Sequence, residues 1–140
     1  MSYLRVQPEH VARAARLIPQ TGRLKVGLVW AGRPEHPQDR NRSLAFQDFA
    51  PLLDVEGVDF YSLQFGKAAA ENDRIPDLAQ HCLDAYDSAA VMENLDLLIS
   101  VDTLPVHIAG ALGKPCGVVV RTPIDWRWGN PTERNDWYPT

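Results

Sequence analysis

The strongest constraint on the fold is a regular alternation of short apolar runs with helical segments. It is clearest between Leu97 and Pro115, which read LLISVDTLPVHIAGALGKP. Leu97, Leu98, Ile99 and Val101 form an apolar run of the kind expected of a strand covered on both faces. Pro105 follows in a helical first turn, where its missing N–H does no harm. Gly113 ends that helix, Pro115 prevents its resumption, and CGVVV reads as the next strand. The unit is strand, polar hinge, helix, strand.

The pattern recurs along the chain. PEHVARAARLI places Val11, Ala14, Ala15 and Ile18 on one helical face, and Pro19 and Gly22 stop it. LKVGLVWAG is the first strong strand, followed by the long polar loop RPEHPQDRNRS. LAFQDFAPLL is helical with Ser43 as N-cap, VDFYSLQF is a second strand, and GKAAAEN begins a helix. HCLDAY reads as a weaker third strand, with Asp87 or Ser88 capping SAAVMENL. The expectation is an α/β fold, a Rossmann-like parallel sheet with helices on both faces and strand order 3-2-1-4-5. Residues 1–22 then form an N-terminal helix and linker, and residues 23–140 the domain proper.

A chain of 140 residues, 45% of them hydrophobic, can bury one core. The net charge of −4, with no long Lys/Arg block, argues against a nucleic-acid surface. No run of 18 apolar residues and no signal-peptide pattern is present, which is the expectation for a soluble, cytoplasmic protein without a membrane span. Cys82 and Cys116 sit in apolar, strand-like contexts and are expected to be buried reduced thiols. His10, His36 and His81 share no metal-ligand spacing, so no metal is expected. Glycine-rich dinucleotide and P-loop fingerprints, a serine elbow and a Cys/His nucleophile pattern are all missing. The tail DWRWGNPTERNDWYPT carries three tryptophans and a tyrosine with no evident regular structure.

In a doubly wound sheet, the loops after the first and fourth expected strands flank the switch point where ligands bind. Those loops are AGRPEHPQDRNRS and SVDTLP. Asp102 and Thr103 precede a helix start, whose free N–H groups and partial positive charge suit a phosphate without a metal. Thr103 and His107 are four apart and so can share one side of the first turn. Simple capping by Asp102 or Thr103, with His107 as a core histidine, explains the same spacing. In Arg40, Asn41, Arg42 and Ser43 two guanidiniums beside a helix start could clamp a diphosphate. A solvated loop is the simpler account of any single arginine, and the position of Arg42 opposite the Asp-Thr hinge favours a functional one. Gln64 and Lys67 follow the second strand, where an amide could bond a base or sugar and an ammonium could add charge, although composition slightly favours a plain exposed loop pair.

KVGLVWAG…DRNRS, FYSLQFGKAAAE, LDLLISVDTLPVHIAGALGKP and DWRW resemble successive blocks of bacterial glycosyltransferases with tetratricopeptide repeats. These are similar to O-linked N-acetylglucosamine transferases and, more distantly, to lipopolysaccharide heptosyltransferases. The resemblance runs from about Lys25 to the end, and its most specific block is Asp102 to His107. It implies one half of a GT-B fold, the donor-binding domain, whose partner would be an N-terminal acceptor domain with repeats. The closing helices would then follow Tyr138 and Pro139. It also implies a nucleotide-diphospho-sugar bound as substrate, with no cofactor. Asp102, Thr103, Leu104 and His107 would hold the diphosphate with Arg42 and Ser43, and Gln64 and Lys67 would lie near the nucleotide. Leu104 departs from the family, which often has glycine there. On this reading the catalytic base comes from the acceptor half, and the isolated chain transfers no sugar. The alternatives are a non-catalytic nucleotide- or protein-binding module and a fragment of a sugar-nucleotide epimerase, which fold alone does not separate.

Overall fold

The computed structural model describes residues 2–120 and Trp128. Its centre is a parallel sheet of four strands, β1 (Leu24–Val29), β2 (Val58–Ser62), β3 (Leu97–Val101) and β4 (Cys116–Val119), in the order β2-β1-β3-β4. β1 and β3 are the adjacent central pair, with Val26 opposite Leu97 and Val29 opposite Ser100. The alternation read from the sequence therefore yields the expected α/β Rossmann-like sheet.

Strand pleat divides the apolar residues between two faces. Val26, Leu28 and Trp30 point to one face with Phe46 and Phe49, where the ring of Trp30 lies 4.8 Å from that of Phe46. Val29, Tyr61 and Leu98 point to the other, larger core. The larger core is covered by α1 (Pro8–Ala15), α4 (Ala85–Glu93) and α5 (Leu104–Leu112). Ala14 and Ile18 pack into it, so the N-terminal helix shares the core of the sheet. Among the described residues the opposite face carries short helical pieces, α3 (Phe46–Phe49) and the 3-10 turn Ala50–Asp54, with Ala68 and Ile75 packed beside them. Gly27 makes the close helix-side packing possible, because a Cβ there would lie 2.9 Å from a Leu95 methyl and 3.0 Å from one of Leu63.

Four local expectations are corrected. HCLDAY is not a strand. In place of a fifth strand stands one parallel bridge between Ser62 and Asp77, made by Ser62 N–H to Pro76 O and Leu78 N–H to Ser62 O. The Asp77 carboxylate then accepts the Ala79 N–H and turns the chain into the 3-10 segment Ala79–His81. α4 starts earlier than expected, since Asp84 is extended and caps the Asp87 N–H, while Asp87 returns to the Leu83 N–H. Ser43 does not cap α3; Asp48 binds the Ala45 N–H there and Glu71 the Phe46 N–H. The segment GKAAAEN closes only as a 3-10 turn, Lys67–Glu71.

Gly113 ends α5 in the left-handed conformation, φ +72°, as its position demands. Cys82 is buried at the end of the 3-10 segment Ala79–His81 rather than in a strand, and Cys116 opens β4, half-buried against the larger core. Both are free thiols. Of the aromatic tail only Trp128 is among the described residues, and no described helix is long and apolar enough to cross a membrane.

Candidate functional site

β1 has neighbours on both sides because the chain runs β1 to β2 in one direction and returns across β1 to reach β3. Loops leaving the carboxyl ends of β1 and β3 therefore diverge, and a crevice opens between them. It encloses 890 Å³ and reaches the loop after β2 and the start of α4.

Five of the eight expected site residues line it: Ser43, Gln64, Lys67, Thr103 and Leu104. Arg42, Asp102 and His107 do not; for His107 the reason lies in the start of α5. Thr103 is the N-cap of α5, with φ −152° and ψ 177°, so it is outside the helix and does not share a face with His107. The helical face toward the crevice begins one residue later, with Leu104, Pro105 and Ile108. His107 turns away, its Nε2 3.9 Å from Asp102 Oδ1 and its ring stacked on Trp128 at 5.8 Å. The Thr103 hydroxyl makes no capping bond, and Pro105 has no N–H to cap. The first turn thus turns its positive end toward the crevice with no cap from the Thr103 side chain.

Gln64 has a defined duty. Its side chain is buried, and Oε1 accepts the N–H groups of Trp30 and Ala31 at 2.9 Å each. Nε2 donates to the carbonyls of Ala31 and Phe65, also at 2.9 Å. Both donors and both acceptor positions of the amide are used. Gln64 therefore joins the ends of β1 and β2 and fixes the floor of the crevice.

The loop after β1 folds back on itself through a second network. Ser43 Oγ donates to Asp39 Oδ1 at 2.6 Å and accepts the Gly32 N–H at 2.9 Å. Arg42 Nη1 donates to the Asp102 carbonyl at 3.2 Å, and its Nε lies 3.6 Å from Asp39 Oδ1. The single turn α2 (Asp39–Arg42) supplies both charged partners. Three of the four acidic residues on the crevice walls are similarly engaged, Asp39 by Ser43, Glu71 by the Phe46 N–H and Asp84 by the Asp87 N–H; the fourth, Glu35, is exposed.

Residues beyond those expected complete the site. Arg33 stands on the wall after β1, and Phe65, 46% exposed, stands at the end of β2. Phe65, Leu44 and Leu104 are all large apolar residues exposed at this one crevice. The signal for Phe65 was its place beside Gln64, since neighbouring residues at a strand end point to opposite sides. Among the described residues no cluster of His, Cys, Asp and Glu could hold a metal ion.

No protein-family model matches the chain. It is 27% identical to protein FlbA of Caulobacter vibrioides over 150 aligned positions, covering 99% of this chain and 25% of that protein. Its structure is similar to that of the E. coli ADP-heptose LPS heptosyltransferase II, with a TM-score of 0.58 and 17% identity. That match covers 82% of this chain and 38% of the enzyme, so the chain spans well under half of either protein. The fold of this chain is thus the Rossmann-like fold of one half of a GT-B glycosyltransferase.

Proposed function

We propose that this chain is the donor-binding domain of a metal-independent glycosyltransferase and that its crevice holds a nucleotide-diphospho-sugar. The observation that carries the reading is the crevice at the switch point, which combines a helix start, two cations and an apolar rim in one 890 Å³ space. A diphosphate above the first turn of α5 meets the positive end of the helix, with the Thr103 hydroxyl as a further partner, while Ser43, whose proton goes to Asp39, holds the loop after β1. In glycosyl transfer, negative charge grows on the departing nucleoside diphosphate. A preorganised helix end stabilises that charge more in the transition state than in the ground state. Asp102 and His107 support the hinge from behind, and the acceptor and its base belong to the other half of the cleft.

The reading is tested by thermal unfolding with UDP-, GDP-, ADP- and CMP-sugars, each with and without EDTA. One nucleoside-diphospho-sugar class is expected to raise Tm, equally in both conditions; a ligand at a hundred times its Kd adds about 2.7 kcal/mol. CMP-sugars, which have one phosphate, are expected to be weaker. A shift that needs divalent metal, or none with any donor, overturns the reading. Binding by a longer chain that turns over no donor would identify a binding module instead, and release of free nucleotide with an epimerised sugar would identify an epimerase.

The apolar rim makes a separate prediction. A planar base resting on Phe65 gains about 1–3 kcal/mol from stacking. Phe65→Ala is therefore expected to weaken a nucleoside and its diphosphate by the same factor, measured by calorimetry. A loss confined to the diphosphate would place the base elsewhere.

A further inference from the structure

We propose that the cations which meet the anionic ligand are Arg33 and Lys67, and that Arg42 is a positioning residue that ties together the two loops flanking the crevice. This rests on the reading of the crevice as an anion site. The division of labour follows from what each cation touches. Arg42 is 22% exposed and lies off the crevice walls, with Nη1 bonded to the Asp102 carbonyl and Nε facing Asp39. Its guanidinium lies so close over Gly32 that a Cβ there would stand 2.5 Å from Nη2. Asp39 opposes its charge, and Asp39 is itself held by Ser43. A cation paired in this way projects little field toward a ligand. It instead fixes the hinge carbonyl one residue before the Thr103 N-cap, and so the direction of the α5 start.

Arg33 and Lys67 are placed differently. They occupy the walls formed by the loops after β1 and β2, both are exposed, and among the described residues neither enters an ion pair. Glu35 shares the wall of Arg33, yet no carboxylate is within ion-pair distance of either cation among the described residues. Two such cations on different walls of one partly enclosed space are suited to a ligand with two phosphate groups. Arg33 also gives a bidentate fork, which the Lys67 ammonium does not.

The test is calorimetric titration of the whole chain with inorganic pyrophosphate in EDTA at two salt concentrations. Arg33→Ala and Lys67→Ala are each expected to lower affinity roughly tenfold, as for loss of one charge-assisted contact, and to flatten its salt dependence. Both residues are exposed, so Tm should stay at the parent value. Arg42→Lys is the discriminating variant, since it keeps the charge but cannot reach Asp39 and the Asp102 carbonyl with one planar fork. It is expected to weaken pyrophosphate as much as Arg42→Ala does, and both should speed amide exchange at residues 103–107. The proposal is overturned if the parent does not bind pyrophosphate, if Arg33→Ala and Lys67→Ala bind like the parent, or if Arg42→Lys restores parent affinity and exchange. A chain that takes up a nucleotide-sugar while ignoring Arg33→Ala and Lys67→Ala sinks this assignment alone. A chain that takes up none sinks the donor-binding reading.

Discussion

Gln64→Leu is expected to be the most damaging single substitution at the crevice, lowering stability by about 3–4 kcal/mol, or Tm by roughly 10 °C. Leucine fills nearly the same space, so lost volume is not the cause. The cost arises because four backbone groups lose their partner together: the N–H groups of Trp30 and Ala31 and the carbonyls of Ala31 and Phe65. Trp30 is wholly buried, so water cannot replace the lost acceptor on its N–H. The exposed end of the network, at Phe65, can find solvent and contributes less. Gln80 provides the control, because its Nε2 bonds the Asp77 carbonyl at an exposed position. Gln80→Leu should change stability by no more than about 0.5 kcal/mol. Equal denaturant midpoints for the two variants would show that the Gln64 network is dispensable.

A charge at the same place should make the damage depend on pH. In Gln64→Glu the two accepting bonds survive, but an ionised oxygen faces the carbonyls of Ala31 and Phe65. Burial and those carbonyls both favour the protonated acid, so its pKa rises on folding. Stability relative to the parent is then best below the ordinary glutamate pKa, about 4.3, and falls as pH rises through the higher folded value.

How much of this was legible in the sequence depends on whether the signal was apolar or polar. The period-two burial of Val26, Leu28 and Trp30 against Val29 follows directly from side-chain alternation, and it places β1 at the centre of the sheet. The Pro105 start and Gly113 stop of α5 are backbone requirements that residue type announces. Polar duties were less visible, because Ser, Asp and Gln can serve any nearby backbone group. Asp84 took the cap expected of Asp87 or Ser88, and Ser43 turned back to Gly32. The HCLDAY segment has strand-like composition, yet an aspartate that binds the N–H two residues on turned the chain after a single bridge. The Thr103–His107 spacing is helical in sequence but straddles the helix boundary in space. One residue of offset at an N-cap is enough to send His107 away from the crevice.

The two cysteines should be nearly inert in the folded chain and ordinary once it unfolds. Burial pushes the Cys116 thiol from 9.0 up to about 12. Three pH units correspond to about a thousandfold less thiolate, the reactive form, at pH 8. Cys82 is raised as well, chiefly by burial; its hydrogen bond with Ser88 opposes this, while Asp87, Asp77 and Asp84 add to it. A thiol reagent should therefore label both residues slowly in the native protein and within the mixing time in denaturant, read residue by residue by mass spectrometry. Fast native labelling of Cys116 would contradict its packing against the larger core. The same shift has a consequence for stability, because the unfolded state gives up its thiol proton at a lower pH than the folded state does. The neutral thiol's contribution is complete below pH 9 and is lost as pH rises from about 9 to about 12. Over that interval Cys116 alone steepens the fall in unfolding free energy by at most about 1.4 kcal/mol per pH unit. Cys116→Ala leaves a small cavity whose cost is the same at every pH, so the two effects separate cleanly. Its stability should be offset from the parent below pH 9 and decline less steeply above it, whereas parallel curves would mean that the thiol ionises as readily folded as unfolded.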